Sequence, residues 1–208
     1  MTKAIPRRRG RPVDGSGEET RERCLDAARK VFSVYGFGAA GMRVIATDAG
    51  ITPMALYNYF PSKTALYRAT WEHAIEQMYA EYEKVVAGRS SLTEEIDAIF
   101  DHAADTIRDR PDVIRLVLRS LLDAEQDGFD DLHPTPDAVP AFYAALAARA
   151  VERGEIEPSD AQRVTTLVLT LLWGTMTIAV YDPATLDGSV ASAKWAMRHR
   201  LEEVRPRR

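Results

Sequence analysis

The stretch Met42–Pro61, MRVIATDAGITPMALYNYFP, decides the fold of this chain, because it has the pattern of two short helices joined by a tight turn. Its first half places small and apolar side chains on one face at helical spacing. Gly50 follows Ala49 at the point where a helix end favours a residue in the left-handed conformation. The first of the two helices is therefore predicted to end at Ala49.

The second helix of this stretch is predicted to begin at once. Thr52 can cap it through its hydroxyl, and Pro53 suits the first helical position, where an N–H would have no partner within the helix. Ile51 and Leu56 are spaced to fill the angle between the two helices. Such an arrangement is a helix-turn-helix.

The exposed face of the second helix offers methyl groups, an amide and two phenols, and no carboxylate. This face can enter the major groove of DNA, since apolar groups meet thymine methyls, Asn pairs with adenine, and Tyr hydroxyls reach phosphates. Its predicted members are Pro53, Met54, Ala55, Tyr57, Asn58 and Tyr59.

A longer series of residues around this motif matches a known family in order and spacing. The series consists of Tyr35-Gly36-Phe37, Arg43-x-Ile45-Ala46, Ala49-Gly50-Ile51, Leu56-Tyr57-x-x-Phe60 and Pro61-Ser62-Lys63-x-x-Leu66. On these residues, Thr20–Leu66 resembles the DNA-binding domain of the TetR family of transcriptional regulators. One departure is Gly41, where the family usually has Ser or Thr as a helix cap; Gly is tolerated at that position.

The resemblance implies roles for individual residues of this domain. Arg43 matches a family position that contacts bases or phosphates, and its guanidinium is long enough to reach guanine. For Tyr59 an alternative stays open, because an aromatic residue next to Phe60 can also pack against the fourth helix. The expected reading face is Thr52, Pro53, Met54, Ala55 and Asn58, and the expected phosphate contacts are Tyr57, Tyr59 and Lys63.

Positive charge is concentrated at the start of the chain, although the net charge of the whole is −4. Residues 1–70 hold twelve Lys and Arg against six Asp and Glu, and the remainder is acidic. Residues 1–15 are predicted to form a disordered basic arm. Its arginines either stay in solvent or contact DNA, and DNA contact is favoured because the arm leads directly into the predicted DNA-binding domain. These arginines are Arg7, Arg8, Arg9 and Arg11.

Periodic apolar residues predict six further helices after residue 66 and no convincing strand, so the predicted fold class is all-α. The expected units are the arm (1–15), a three-helix DNA-binding domain (16–66) and a six-helix effector-binding and dimerisation domain (67–208). Capping boxes are predicted at Ser16 for the first helix, whose apolar stripe ends at Tyr35, and at Ser159 for the eighth. Trp173 and Met197 are predicted to lie in a homodimer interface of the eighth and ninth helices, or alternatively in the core of their own subunit.

The second domain resembles the part of TetR family proteins that binds a small-molecule effector. Several of its aromatic and apolar residues could line a pocket, although core packing is the commoner role of such residues. Arg115, Arg119 and His102 would meet an anionic ligand if they faced inward, but a solvated helix face is the favoured interpretation. The pocket candidates are Trp71, Met78, Tyr82, Phe100, Leu118, Tyr143, Trp173 and Met176.

These features together predict a ligand-responsive transcriptional regulator, as the resemblance also implies. A single recognition helix spans few base pairs, so two copies about 34–36 Å apart would bind a palindromic operator as a homodimer. A small-molecule effector would change their separation and release the DNA. A repressor is expected, although activation stays open because occupancy of a promoter does not disclose its consequence. The alternative is a nonspecific architectural DNA-binding protein without an effector.

Enzymes and membrane proteins are the classes that the sequence disfavours. The four histidines have no metal-binding spacing, and the chain has neither a phosphate-binding glycine loop nor a nucleophile motif, so no metal or cofactor is expected. A single cysteine, Cys24, and the lack of a secretory signal favour the cytoplasm. The uncharged run Val164–Tyr181 is long enough to span a membrane, but five threonines and Gly174 within it favour a buried helix.

Overall fold

The computed structural model describes residues 17–123 and 136–204, without the side chains of residues 121–123 and 204. Within these ranges the chain forms nine α-helices and no β-strand, which confirms the predicted all-α class. The helices are α1 (Gly17–Ala39), α2 (Met42–Asp48), α3 (Pro53–Tyr59), α4 (Lys63–Val86), α5 (Leu92–Asp109), α6 (Pro111–Asp123), α7 (Ala138–Glu152), α8 (Ala161–Tyr181) and α9 (Leu186–Val204).

The first three helices pack around a small apolar core. Phe32 of α1, Ile45 of α2 and Leu56 of α3 are wholly buried in it, and Cys24 lies in the same cluster. The cluster continues into the next helices through residues such as Leu116 of α6. The division of the chain after residue 66 therefore stays a prediction, because the core of the N-terminal helices extends beyond that point.

The other six helices share a second, larger core. Ile96, Ile99 and Phe100 on the inner face of α5 are fully buried, because apolar residues recur at three- and four-residue steps along this helix. The carboxylate of Glu95 is also buried and accepts hydrogen bonds from Arg149, at 2.8 Å, and Arg153, at 3.2 Å. This ion-pair network joins α5 to the end of α7, and it satisfies a charge that would otherwise be costly to bury.

Two features of the chain differ from the helix pattern predicted along α1. Tyr35 is exposed instead of completing the apolar stripe, because the helix is kinked at the next residue. Gly36 has a φ of 69°, a left-handed conformation that glycine adopts without strain. The helical turns then continue to Ala39, beyond the predicted end.

Two predictions for the last third of the chain are wrong. Ser159 does not cap the eighth helix: residues Pro158–Asp160 form a 3-10 turn, and α8 begins at Ala161 with Asp160 before it. Met197 is fully buried within its own subunit, so it is not available for an interface between subunits. Met197 belongs to the second core, and its helix α9 packs against α5 and α8.

Several predictions concern residues outside the described ranges. They are the basic arm with Arg7, Arg8, Arg9 and Arg11, and the capping role of Ser16.

One stretch among the described residues, Pro158–Tyr181, is long and apolar enough, by length and composition, to cross a membrane. Core helices of globular proteins often meet the same criterion. Val168, Leu172 and Met176 of this stretch are buried against the other helices of the second core, whereas Ile178 and Tyr181 are exposed. Burial of the exposed side of this helix in a dimer stays a prediction.

Candidate nucleic-acid interface and ligand cavity

The turn between α2 and α3 is held by local contacts. Gly50 has a φ of 70°, and the backbone N–H of Ile51 donates to the carbonyl of Ala46 at 2.9 Å, which closes the end of α2. The side-chain oxygen of Thr52 accepts from the N–H of Ala55 at 3.2 Å and caps α3. These contacts fix the direction of α3 relative to α2.

The outer face of α3 is exposed and carries no acidic side chain. Met54 has 73% of its surface exposed, and Tyr57 and Tyr59 are exposed as well. Thr52, before the helix, and Asn58 are also exposed, whereas Ala55 is half-buried. A surface of this kind presents methyl, amide and phenol groups without an electrostatic penalty towards phosphates.

The α2 helix adds a short exposed row beside α3. Arg43, Val44 and Thr47 are all exposed, and the Thr47 hydroxyl donates to the carbonyl of Arg43 at 2.9 Å. Sequence reasoning singled out only Arg43. Helical spacing would have indicated Thr47, since a residue four positions after Arg43 lies on nearly the same side of a helix, and Val44 lies three positions before Thr47.

Lys63, a predicted phosphate contact, is tied to the kinked end of α1. Its ammonium group donates to the carbonyl of Gly38 at 2.9 Å and lies 4.9 Å from the centre of the Phe37 ring. Partial burial lowers the pKa of the Lys63 side chain. Because an ammonium has three N–H donors, two remain for another acceptor.

A cavity of about 230 Å³ lies between α4, α6, α7 and α8. The structure brings six of the eight predicted pocket residues together around it, namely Trp71, Met78, Tyr82, Tyr143, Trp173 and Met176. It is also lined by Ile75, Tyr79, Val117, Pro136, Val139, Leu169 and Leu172.

Phe100 and Leu118 do not line this cavity. Phe100 is fully buried in the second core, and Leu118 packs against the same core from α6. Arg115, Arg119 and His102 do not line it either. Tyr79, which the sequence did not single out, lies next to Met78 on α4, and only the packing of α4 against α7 turns both residues towards the cavity.

Three phenol side chains supply hydroxyl groups at the cavity wall. The hydroxyls of Tyr79 and Tyr143 lie 3.4 Å apart. The hydroxyl of Tyr82 is buried and finds no hydrogen-bond partner among the described residues. Burial raises the pKa of all three phenols, so they are uncharged at neutral pH.

A separate groove follows the outer side of α8 and α9. Two large apolar side chains border the groove, Ile178, which is 48% exposed, and Trp195, which is 63% exposed. A third, Tyr181, lies beside the groove and is 86% exposed. Small residues such as Gly174 and Gly188 form its floor. Trp173, predicted for this face, instead lines the cavity on the other side of α8.

Contacts between α1 and α6 join the helix-turn-helix unit to the cavity. Arg29, which is buried on α1, forms ion pairs with Asp112 of α6 and Asp26 of its own helix. About two turns further along α6, Arg119 donates to the carbonyl of Val34 at 3.1 Å. Since Val117 of the same helix lines the cavity, α6 touches both α1 and the cavity.

No group of three or more His, Cys, Asp or Glu side chains that could hold a metal ion occurs in residues 17–123 and 136–204.

Residues 25–70 match the model of a family described as bacterial regulatory proteins, tetR family. The chain is 26% identical over 182 residues to the HTH-type transcriptional regulator UidR of Escherichia coli (strain K12), which covers 86% of this chain and 91% of UidR. It is 29% identical over 143 residues to the HTH-type transcriptional regulator RutR of the same strain, with 67% of this chain and 66% of RutR covered. The fold is similar to that of a TetR transcriptional regulator from Chloroflexus aurantiacus J-10-FL, with a TM-score of 0.70, 23% identity, and coverage of 88% and 96% of the two chains.

Proposed function

We propose, from the premise that this chain belongs to the TetR family of transcriptional regulators and is not an enzyme, that it is a ligand-responsive repressor. Two copies would bind a palindromic DNA operator as a homodimer, and a small-molecule effector would release them. The observation that carries the proposal is the exposed face of α3, which lies within the matched residues 25–70 and has no carboxylate.

DNA would be read by α3 and held by its neighbours. Met54, Ala55 and Asn58 face outward or partly outward, where they could meet base edges in the major groove. Backbone contacts are proposed for Tyr57, Tyr59 and Lys63, and Arg43 would add a contact from α2. The basic arm with Arg7, Arg8, Arg9 and Arg11 is proposed to add phosphate or minor-groove contacts.

Dimerisation is proposed through the outer side of α8 and α9. An exposed apolar groove with large side chains beside it is unusual on a monomer surface, and two copies of such a face can bury each other. Ile178 and Trp195 support this face of α8 and α9 as the interface.

The effector would act on the DNA-binding unit through α6. A ligand in the cavity touches Val117, and the same helix is tied to α1 by Asp112 and Arg119. A small shift of α6 on ligand binding would therefore move α1 and change the distance between the two helix-turn-helix units of the dimer. We also propose that the protein acts in the cytoplasm.

The experiment that tests the proposed function is a gel shift with fragments of the DNA upstream of the chain's own gene and of its neighbours. A repressor is expected to bind one fragment in the presence of a large excess of random DNA. An architectural protein would bind all fragments alike, with affinities that fall together as the salt concentration rises. Binding to none of the fragments would contradict both readings.

Asn58→Ala and Lys63→Ala are expected to separate base reading from backbone contact. Asn58→Ala should reduce discrimination between the operator and single-base variants about tenfold, because one base contact accounts for about 1–3 kcal/mol. Lys63→Ala should weaken binding to all sequences and reduce the salt dependence, since it removes a phosphate contact. Fluorescence anisotropy at several salt concentrations measures both effects.

Equal losses of Asn58→Ala on the operator and on random DNA would contradict its reading role. For Lys63→Ala, loss of the hydrogen bond to the carbonyl of Gly38 is a second explanation of weakened DNA binding. Lys63→Arg keeps the charge and separates the two, since it should restore the salt dependence even if the contact with Gly38 is altered.

Asp112→Ala is expected to loosen the contact between α1 and α6. Among the described residues it leaves the buried Arg29 with Asp26 alone as an ion-pair partner, so the free energy of unfolding should fall by about 1–3 kcal/mol. Amide hydrogen exchange in α1 should become faster, and urea unfolding gives the loss of stability.

Asp26→Ala is the matched control, because Asp26 is more exposed and lies on α1 itself, and its effect should be clearly smaller. Equal effects of the two variants would show that the ion pair with α6 contributes no more to stability than the ion pair within α1.

A further inference from the structure

The cavity lining is aromatic and apolar, and it contains no charged side chain among the described residues. Five of its members are aromatic, and two more are methionines, whose flexible side chains adapt to the shape of a ligand. An ionised group placed in such a cavity would lose its hydration without gaining an opposite charge. The lining therefore selects against ligands that carry a carboxylate or a phosphate.

A cation is disfavoured as well, although aromatic rings can bind cations over their faces. The rings of Tyr79, Tyr82 and Tyr143 pack against each other and against Phe142 largely edge to face, with centroids 5.3–5.9 Å apart. Their faces are thus partly covered by neighbouring rings. No carboxylate on the described wall would compensate for the lost hydration of a cation.

The polar groups of the wall are neutral hydroxyls. Each phenol has one hydrogen to donate and lone pairs that accept, so the Tyr79 and Tyr143 pair can share one hydrogen bond and still has one hydrogen free to donate. Tyr82 is a third tyrosine of the lining, and its hydroxyl is buried without a hydrogen-bond partner among the described residues. A buried hydroxyl without a hydrogen-bond partner destabilises the protein, and a hydrogen bond to a ligand oxygen removes this destabilisation.

We propose that the effector bound in this cavity is an uncharged, ring-containing and largely apolar compound with a hydroxyl or carbonyl oxygen at one end, which hydrogen-bonds to the hydroxyls of Tyr79 and Tyr143. This inference rests on the proposed function in so far as the bound compound is an effector. The cavity volume of about 230 Å³ suits a compound of one or two rings.

Four probes of similar size test the ligand class on the full chain by isothermal titration calorimetry. They are 4-propylphenol, propylbenzene, 4-propylbenzoate and benzyltrimethylammonium, which differ in polarity and charge. We expect 4-propylphenol to bind about fivefold to tenfold more tightly than propylbenzene, because a single hydrogen bond is worth about 1 kcal/mol. The two charged probes should bind at least a hundredfold more weakly than 4-propylphenol.

Binding of 4-propylbenzoate or benzyltrimethylammonium as tight as that of 4-propylphenol would overturn the assignment to an uncharged compound. Equal affinity for propylbenzene and 4-propylphenol would overturn the role of the hydroxyls, and no binding of any probe would overturn the proposal as a whole.

A double variant, Tyr79→Phe with Tyr143→Phe, locates the polar end of the ligand. It should remove the preference for 4-propylphenol and leave the affinity for propylbenzene unchanged within about twofold, since only the hydroxyls are lost. Tyr35→Phe is the control, because Tyr35 is exposed on α1, far along the chain from the cavity helices. An unchanged preference in the double variant would contradict the proposed contact.

The gel shift described above distinguishes a failure of this ligand assignment from a failure of the proposed function. Selective operator binding together with failure of the uncharged probes would leave a regulator with another class of ligand. Selective binding of 4-propylphenol by a protein that ignores every DNA fragment would support the cavity assignment and refute the regulator.

Discussion

Leu56→Ala is expected to lower the free energy of unfolding of the DNA-binding unit by about 2–5 kcal/mol, because it leaves a cavity in a small core. Leu56 of α3 is fully buried in this core, together with Ile45 of α2 and Phe32 of α1. A core of this size has few other contacts that could compensate for the loss. Selective DNA binding should be lost with it, since α3 is no longer held in place.

Cys24 offers a local measurement of this effect, because it is the only cysteine in the chain and is fully buried in the same core. Burial also raises the pKa of its thiol, which slows its reaction with thiol reagents in the folded state. Labelling of Cys24 under native conditions therefore reports opening of this unit. In Leu56→Ala the labelling rate should rise about 30-fold or more, as a loss of 2 kcal/mol or more implies.

Met54→Ala is the matched control on the same helix. Met54 is 73% exposed, so its truncation should change the stability and the labelling rate of Cys24 very little, by about 0.5 kcal/mol at most. Operator preference should nevertheless change, because the proposed apolar contact with a base is lost. Comparable destabilisation by the two substitutions would contradict the burial pattern of α3.

The double variant Ile178→Glu with Trp195→Glu is expected to convert the proposed dimer into a monomer. It replaces two exposed apolar side chains of α8 and α9 by carboxylates that a second copy of the same face would have to bury. Operator affinity should fall by about a hundredfold or more, since each head would then bind its half-site alone. Size-exclusion chromatography with light scattering gives the mass, and fluorescence anisotropy gives the affinity.

Ala87→Glu serves as the control for this variant, because Ala87 is exposed at the end of α4 and lies outside the groove. It should keep both the dimer mass and the operator affinity. A double variant that still migrates as a dimer would place the interface elsewhere on the molecule. A wild-type chain that is monomeric at the concentrations used for operator binding would contradict the proposed mode of DNA recognition.

Local chemistry is the reason why the helix-turn-helix could be predicted from the sequence. Gly50, Thr52 and Pro53 each act on the backbone within a few residues of themselves, so the start of α3 follows without knowledge of the rest of the fold. The end of α2 follows in the same way, although the helix ends at Asp48 and the predicted end, Ala49, is its C-cap. The cap at Ser62 and the start of α4 follow in the same way. Ser159 shows the limit of this reasoning, because a sequence that permits a cap does not exclude a 3-10 turn in its place.

The lining of the cavity could be predicted only in part. A helical stripe identifies the apolar residues of α4, but residues on neighbouring positions such as Met78 and Tyr79 both reach the cavity because α4 is covered from several sides. Phe100 has the same chemistry as the lining residues and lies in the core instead. Which apolar side chain borders a cavity depends on how four helices cross, and periodicity along one helix contains no such information.

The sequence by itself thus determined the all-α class, the position of the short helix α3 and the resemblance to the TetR family, since these depend on capping, spacing and motif order. Only the tertiary structure decided that Met197 is buried while Trp195 is exposed, and that Lys63 is tied to Gly38. It also decided that α6 touches both α1 and the cavity. Contacts of this kind join residues that are far apart in the chain, and their geometry is set by the packing of whole helices.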